Sequence, residues 1–220
     1  MNNPNKTFHP FAIFDMDGTL VDSMKYWQNL AVEYLKDQGI SHVPSSILDR
    51  IRPMTMEESA ALFIEEFGLP GTAEEIVGEM NQLMDTHYQF DIPLKNGVQD
   101  YLRKLQINGV RMCVASATAE PLMKTCLHRL GILEHFEFLL SCETMGVGKS
   151  KPDIYNAAAK KLGASPQETA VYEDALYAAK TAKNAGYYVI GIYDDSAASQ
   201  WNEMLELADE CILHWYRIGG

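Results

Sequence analysis

The chain has 220 residues, of which 47% are hydrophobic and 22% are charged, and these shares exclude a disordered chain because enough apolar material is present for a sizeable core. Its 18 basic residues are outnumbered by 30 acidic ones, which gives a formal net charge of −12. Nucleic acids and anionic lipid surfaces bind basic protein faces, so this charge argues against either of them as a partner.

Helical patterns dominate the stretch that follows a first short strand. The apolar run Phe11–Phe14 ends in Asp-Met-Asp-Gly, which predicts a buried strand that stops at a turn. Apolar residues then recur at helical spacing over Met24–Gln38, Glu57–Phe67 and Thr72–His87, and a glycine follows each of the first two segments. Residues 23–91 are therefore predicted to form helices without a clear strand.

Strands and helices alternate in the rest of the chain. The predicted strands are Val110–Ala115, Phe138–Cys142, Ala170–Tyr172 and Tyr187–Tyr193. The predicted helices are Val98–Leu105, Pro121–Leu130, Pro152–Leu162, Ala175–Ala185 and Trp201–Leu207. This alternation is typical of right-handed βαβ units, whose parallel sheet is covered by helices on both faces.

The predicted fold class is therefore α/β, a doubly wound, Rossmann-like parallel sheet with an inserted all-helical domain. Residues 1–22 and 92–220 are expected to form the core, whose sheet includes the first strand. Residues 23–91 are expected to pack as a separate helical cap. The hinges between the two are expected at Asp22–Met24 and Ile92–Gly97, where a proline and a glycine mark the return to the core.

The cysteines and the N-terminus indicate the cellular compartment. Cys113, Cys126, Cys142 and Cys211 form no C-x-x-C pair, which predicts reduced thiols rather than a zinc site or a disulfide framework. Met1–His9 is polar and lacks the apolar region of a signal peptide, and no apolar run approaches the roughly 20 residues that span a bilayer. We therefore expect a cytoplasmic protein.

Polar side chains follow the predicted strands at their carboxyl ends, where doubly wound sheets bind ligands. They are Asp15 and Asp17 after the first strand, Ser116 after the second, Lys149 in the loop after the third, and Glu173 and Asp174 after the fourth. Clustered carboxylates repel one another, and a hard divalent cation such as Mg²⁺ relieves the repulsion. A cation, a lysine, a hydroxyl group and a further carboxylate together suit phosphoryl transfer.

Four motifs occur in a fixed order along the predicted core. They are the segment Asp15–Ser23 (DMDGTLVDS), Ser116 at the end of a strand, Gly148–Asp153 (GKSKPD), and Glu173-Asp174 before an alanine-rich helix. Together they resemble the motifs of the haloacid dehalogenase (HAD) superfamily of phosphohydrolases. The helical insertion resembles the cap of the subgroup that includes phosphoglycolate phosphatase, sugar-phosphate phosphatases and β-phosphoglucomutase.

The resemblance implies catalytic and substrate-binding roles. Asp15 would be the nucleophile that forms an aspartyl-phosphate, and Asp17 would be the general acid for the leaving alcohol and then the base that activates water. Ser116 and Lys149 would bind the transferring phosphoryl group. Lys151 is the alternative to Lys149, which the spacing to the following Pro-Asp favours.

The resemblance also implies a cofactor, Mg²⁺. The cation would be held by the carboxylates of Asp15 and Asp174 and by the backbone carbonyl of Asp17, with Glu173 in support. Glu173 and Asp174 could instead form an N-cap pair for the helix that follows them.

Two further residues complete the expected substrate-binding set of the core, Thr19 within the first motif and Ala117 directly after Ser116. In the cap, Lys25 and Arg52 are candidates for contact with the substrate. Arg52 could equally be an ordinary surface arginine without contact to the substrate. The expected partner is a small-molecule phosphate ester, with neither nucleic acid nor membrane, and the expected assembly is a monomer or a homodimer.

The predicted activity is Mg²⁺-dependent hydrolysis of a small phosphate monoester, such as a sugar phosphate. Asp17 disfavours dehalogenation, because haloacid dehalogenases proper lack this second aspartate. β-Phosphoglucomutase is the main alternative, but the histidine and arginine of its cap would fall near Trp27 and Met56, which cannot replace them. A non-catalytic member that binds a phosphorylated ligand is the third possibility.

Overall fold

The computed structural model describes residues 8–51 and 54–215. The chain divides into two compact units, of which one is Lys25–Asp91 and the other comprises the segments before and after it. The sequence-based boundary of 23–91 for a separate cap stays a prediction. No helix in the described part of the chain has the length and apolarity that a membrane span needs.

The larger unit contains a six-stranded sheet in which every neighbouring pair is parallel. Its strands are β1 (Phe11–Phe14), β2 (Arg111–Ser116), β3 (Leu139–Ser141), β4 (Thr169–Glu173), β5 (Tyr188–Ile192) and β6 (Glu210–Ile212). Their order across the sheet is β3-β2-β1-β4-β5-β6, which places β1 between β2 and β4. The predicted doubly wound α/β fold is confirmed.

The strands are largely apolar because both faces of the sheet are covered. Ile13 of β1 and Val171 of β4 are fully buried on one face, in a cluster that includes Ile154 from a covering helix. On the other face Phe14 stacks on Tyr172 with ring centroids 4.1 Å apart. Successive strand residues point to opposite faces, so an uninterrupted apolar run is what a sheet buried on both sides requires.

Helices connect the strands and flank the sheet. Those of the larger unit are α5 (Val98–Ile107), α6 (Glu120–Arg129), α7 (Cys142–Met145), α8 (Asp153–Leu162), α9 (Leu176–Asn184) and α10 (Trp201–Leu207). The amphipathic α5 buries one face, including Tyr101 and Leu102, and leaves its charged residues in solvent.

Among its described residues the smaller unit contains four α-helices and the connections between them, and no strand. Its helices are α1 (Met24–Asp37), α2 (Ser45–Ile51), α3 (Met56–Phe67) and α4 (Ala73–Phe90). A capping box begins each of α3 and α4. The hydroxyls of Thr55 and Thr72 accept from the backbone N–H three residues further on, and the glutamate at that position accepts from the backbone N–H of the threonine. Gly68 ends α3 in the left-handed conformation, at a φ of +65°.

Among the α-helices and strands of the described residues, three short ones were not predicted from the sequence. They are α2 with seven residues, α7 with four and β6 with three. In α2 only Ile47 is buried and in β6 only Ile212, so neither segment repeats an apolar pattern, and α7 follows β3 without a break.

Candidate active site

Three site residues stand at the carboxyl ends of adjacent strands. Asp15 follows β1 directly, Ser116 is the last residue of β2, and Glu173 is the last residue of β4. The register aligns Phe14 of β1 with Tyr172 of β4, and Tyr172 O accepts from the Asp15 backbone N–H over 3.0 Å. Because β1 lies between the other two strands, this register brings all three side chains to one edge of the sheet.

A buried lysine joins two of the carboxylates. Lys149 Nζ forms an ion pair with Asp15 Oδ1 and a second one, over 2.7 Å, with Glu173 Oε1. The same Glu173 oxygen accepts from the Tyr155 hydroxyl of α8 over 2.7 Å. None of these four residues is more than 6% exposed, so the network is shielded from solvent.

Burial and the surrounding charges together shift the pKa values of Lys149 and Asp15. Burial alone would lower the pKa of Lys149, but the carboxylates of Asp15 and Glu173 outweigh it and raise the pKa. Burial raises the pKa of Asp15; Lys149 opposes this rise, while Glu173, Asp174 and Asp17 add to it. The lysine is therefore held as a cation beside carboxylates whose charges it only partly balances.

Asp174 adjoins this network and is also buried. Burial, followed by repulsion from Glu173, raises the pKa of Asp174 to about 7. The Thr19 hydroxyl donates to Asp174 Oδ1 over 3.1 Å and is itself fully buried. Gly18 lies against the same carboxylate, so closely that a Cβ atom at this position would overlap it.

The donor set fits a divalent cation. Asp15, Glu173 and Asp174 each offer one carboxylate oxygen, and these oxygens lie within 4.8 Å of one another. When ionised, the three carboxylates leave two negative charges after Lys149 has balanced one. Glu173 Oε2 is buried and has no hydrogen-bond partner among the described residues. Excess negative charge and an unpaired buried oxygen are what a hard, oxygen-preferring cation would satisfy.

The carboxylate of Asp17 has different contacts. Its Oδ2 accepts from the Thr118 hydroxyl over 2.6 Å and lies 3.5 Å from Ser116 Oγ. Asp17 is half-buried, and its carboxylate is outside the acidic cluster of Asp15, Glu173 and Asp174. The two aspartates of the first motif are therefore held by different groups, which suits them to different tasks.

The model of the haloacid dehalogenase-like hydrolases matches residues 11–186, which is most of the chain. The chain belongs to this family. The resemblance read from the four motifs is confirmed, and so is the prediction of a hydrolase.

Several proteins of the family are similar over most of the chain. The probable pseudouridine-5′-phosphatase of Drosophila melanogaster is 27% identical, over 83% of this chain and 81% of its own. The β-phosphoglucomutase of Bacillus subtilis is 28% identical, over 82% of each chain. The bifunctional riboflavin kinase/FMN phosphatase of Arabidopsis thaliana is 27% identical over 87% of this chain, which spans half of that protein's length.

The fold is shared with solved structures at lower identity. A Thermotoga maritima protein assigned as a β-phosphoglucomutase superposes with a TM-score of 0.78, at 20% identity and with 92% of this chain and 93% of that chain covered. At this identity the likeness shows the fold alone.

The other predicted site residues lie apart from these contacts. Ala117 is exposed directly after β2. Lys25 is exposed in the smaller unit, where its ammonium lies 5.4 Å from the centroid of the Tyr26 ring. Arg52 falls outside the described residues.

Sequence reasoning missed two polar side chains that contact the HAD motif residues, Tyr155 and Thr118. Tyr155 lies two residues after the third motif, and Thr118 lies two residues after Ser116. Their closeness to the motifs is a signal, but the sequence alone does not say which way either side chain points.

An ion pair between a buried aspartate and a partly buried lysine beside the site was also missed. Lys95 Nζ lies 2.7 Å from Asp194 Oδ2, and it donates to the backbone carbonyl of Tyr193 over 3.0 Å. Asp194 follows β5 as the other site acids follow their strands, and its charge acts to raise the pKa of Asp174, which Lys95 opposes.

Proposed function

We propose that this chain is a Mg²⁺-dependent phosphatase that hydrolyses a small phosphate monoester, such as a sugar phosphate, through an aspartyl-phosphate on Asp15. The supporting observation is the separation of the two aspartates: Asp15 pairs with Lys149 in the acidic cluster, whereas Asp17 is held by Thr118 outside it. Relatives named as phosphatases support the same activity.

In this proposal the Asp15 carboxylate attacks the phosphorus atom. A bond forms between an Asp15 oxygen and phosphorus, and the bond from phosphorus to the alcohol oxygen breaks. Burial excludes water from the nucleophile and raises its pKa, and the ion pair with Lys149 opposes this rise and so favours the ionised form. The ammonium of Lys149 and the hydroxyl of Ser116 would bind the phosphoryl oxygens, with Thr19 and Ala117 beside them.

Asp17 would carry the proton in both half-reactions. In the first, its carboxylic acid protonates the departing alcohol oxygen. In the second, its carboxylate takes a proton from the water that attacks phosphorus, which releases inorganic phosphate and restores Asp15. The position of the Asp17 carboxylate outside the acidic cluster suits this exchange of protons.

Mg²⁺ would be held by the carboxylates of Asp15 and Asp174 and the backbone carbonyl of Asp17, with Glu173 in support. When bound, it would draw negative charge from the phosphoryl oxygens. The chain's own residues orient these ligands: the hydroxyl of Thr19 holds Asp174. Lys149 and the Tyr155 hydroxyl hold Glu173.

We assign the choice of substrate to the cap, with Lys25 and Arg52 as candidates for contact with the part of the ester beyond the phosphate.

The test is the release of inorganic phosphate from a panel of small phosphate esters and p-nitrophenyl phosphate, with Mg²⁺ or with a chelator. Asp15→Asn should lower kcat/KM by about a thousandfold or more, since the nucleophile is lost. The matched control is Asp100→Asn, whose side chain is 88% exposed on α5 and which should behave as the parent. Acid quenching during turnover should leave one phosphoryl group on the peptide that contains Asp15.

Other outcomes would support the alternatives. Transfer of phosphate from a sugar bisphosphate without release of inorganic phosphate would indicate a mutase. The similarity to β-phosphoglucomutase makes this activity the main alternative. A phosphorylated ligand that binds tightly and is never turned over would indicate a non-catalytic protein. Activity of Asp15→Asn equal to that of the parent would overturn the proposal.

A further inference from the structure

The carboxylate of Asp17 is held by a hydroxyl that lies outside the four motifs. Thr118 Oγ1 donates to Asp17 Oδ2 over 2.6 Å, whereas Ser116 Oγ is 3.5 Å from the same oxygen. Separations of about 2.5–2.7 Å are typical of a hydroxyl bound to a charged carboxylate. Thr118 is therefore the stronger of these two donors.

The hydroxyl of Thr118 is itself fixed relative to the sheet. Its backbone N–H donates to Ser116 Oγ over 3.2 Å, and its side chain is half-buried. Ser116 is 1% exposed and pairs with Ser141 of β3 at the end of β2. The chain thus leaves β2 in a turn that is anchored at a buried residue and directs the Thr118 hydroxyl at Asp17.

The turn does not need this hydroxyl. The hydrogen bond that closes it uses the backbone N–H of residue 118, which any residue other than proline supplies. A valine at this position would keep the shape of the side chain and the turn, and it would remove the hydroxyl that donates to Asp17. A structural role and a role in positioning Asp17 can therefore be separated by substitution.

We infer that Thr118 is a positioning residue, whose hydroxyl fixes the rotation of the Asp17 carboxylate for proton exchange with the leaving alcohol. The inference rests on the proposed function, in which Asp17 is the general acid and base. In this role Thr118 acts through Asp17. Holding one carboxylate oxygen restricts rotation about the Cβ–Cγ bond, and proton transfer depends strongly on such alignment.

The consequence depends on the leaving group. An alkyl alcohol leaves poorly unless it is protonated as the bond to phosphorus breaks, whereas p-nitrophenolate leaves readily without a proton. Since kcat/KM reports the steps up to cleavage of this bond, loss of the Asp17 alignment should lower it for an alkyl phosphate and spare it for p-nitrophenyl phosphate. A merely structural fault would lower both.

The experiment compares Thr118→Val, Thr118→Ser and the parent on an alkyl phosphate that the parent hydrolyses and on p-nitrophenyl phosphate, with Mg²⁺. For Thr118→Val we expect kcat/KM to fall by about 10- to 100-fold on the alkyl ester and by less than about threefold on the aryl ester. Thr118→Ser keeps the hydroxyl and should restore the alkyl activity. Thr125→Val, at an exposed position of α6, is the matched control and should change neither.

An equal fall on both esters, no fall on either, or a Thr118→Ser variant as impaired as Thr118→Val would overturn the inference and leave the proposed function standing. A parent that hydrolyses no ester would overturn the proposed function, and the inference with it. If Thr118→Val does not fold, as judged by circular dichroism, Thr118→Ala carries the same expectation.

Discussion

At Gly18 two constraints act on one residue of the first motif. The backbone has a φ of +77°, which side chains other than glycine rarely adopt. In addition, a Cβ atom would overlap the carboxylate of Asp174, which is proposed to hold the cation. The requirement for glycine is thus partly conformational and partly a matter of space beside the site.

A matched pair of substitutions separates these constraints. Gly109 has a φ of +76° and no atom within 4 Å of where its Cβ would lie. Gly18→Ala and Gly109→Ala should each lower the free energy of unfolding by about 1–2 kcal/mol through backbone strain. Only Gly18→Ala should also displace Asp174 and lower kcat/KM, by about 100-fold. Urea unfolding and steady-state kinetics measure the two effects, and equal activity in both variants would contradict the steric argument.

The residues of the site differ in how far the sequence could reveal them. Asp15, Ser116 and Glu173 could be placed together before the fold was known, because each ends a strand and parallel strands end at one edge. Thr118 and Tyr155 could not. One lies in a turn and the other in the first turn of α8, where each residue rotates the side-chain direction by about 100°, and no periodic pattern says which one faces the site.

Among the elements, α4 shows how local sequence begins a helix. The Thr72 hydroxyl accepts from the Glu75 backbone N–H over 3.2 Å, and Glu75 Oε2 accepts from the Thr72 backbone N–H over 2.8 Å. Two N–H groups that the helix leaves unpaired are satisfied in this way. The predicted start of this helix at Thr72 follows from that pattern and lies next to the observed start at Ala73.

Loss of the capping box at Thr72 should destabilise α4 at its first turn. Thr72→Ala should lower the free energy of unfolding of the smaller unit by about 1 kcal/mol, because the Glu75 N–H loses its acceptor. Urea unfolding measures the loss, and amide hydrogen exchange at Glu75 should become faster.

The control for this change lies on the same helix. Thr86 is exposed and donates to the Gln82 carbonyl one turn back, so Thr86→Ala should leave stability unchanged or raise it slightly. If the two variants unfold alike, the capping box contributes nothing measurable.

Elements with a run of apolar residues or a helical spacing of them could be predicted from the sequence, and elements without such a pattern could not. The strands and helices of the core follow from apolar runs and helical spacing, with ends that differ by one or two residues, as at Ala170–Tyr172 against Thr169–Glu173 of β4. The segments of α2 and β6 each bury one residue, Ile47 and Ile212, which is too little for an apolar pattern. Burial of β6 beside β5 is decided by tertiary pairing.

For the whole molecule, the distribution of charge matters more than its sum. Residues 23–91 contain twelve acidic and four basic residues, so most of the net charge of −12 belongs to the predicted cap. An anionic ester therefore approaches against the overall field. Binding must depend on short-range attraction at Lys149 and the proposed cation, which acts within about a Debye length of 8–10 Å.

The buried acids link stability to pH and to the cation. An acid whose pKa is raised by folding binds more protons folded than unfolded, so stability falls as pH rises through that interval. For Asp174 the interval runs from the ordinary value of 3.8 to about 7, and Asp15 shifts in the same direction. Without divalent cations, the melting temperature should therefore decline between about pH 4 and pH 7 in part because these carboxyls must ionise.

Mg²⁺ should reverse this loss where the carboxyls are ionised. At about pH 8, Mg²⁺ at 100 times its Kd would add about 2.7 kcal/mol, or roughly 5–10 °C in melting temperature, and at about pH 5 much less, because protons compete for the ligands. Thermal unfolding at the two pH values measures this, with NaCl of equal ionic strength as the control for screening. Asp174→Asn should show a shallower decline with pH and a smaller response to Mg²⁺. A response that is equal at both pH values, or unchanged in Asp174→Asn, would mean that the cation binds elsewhere on the acidic surface rather than at the buried cluster.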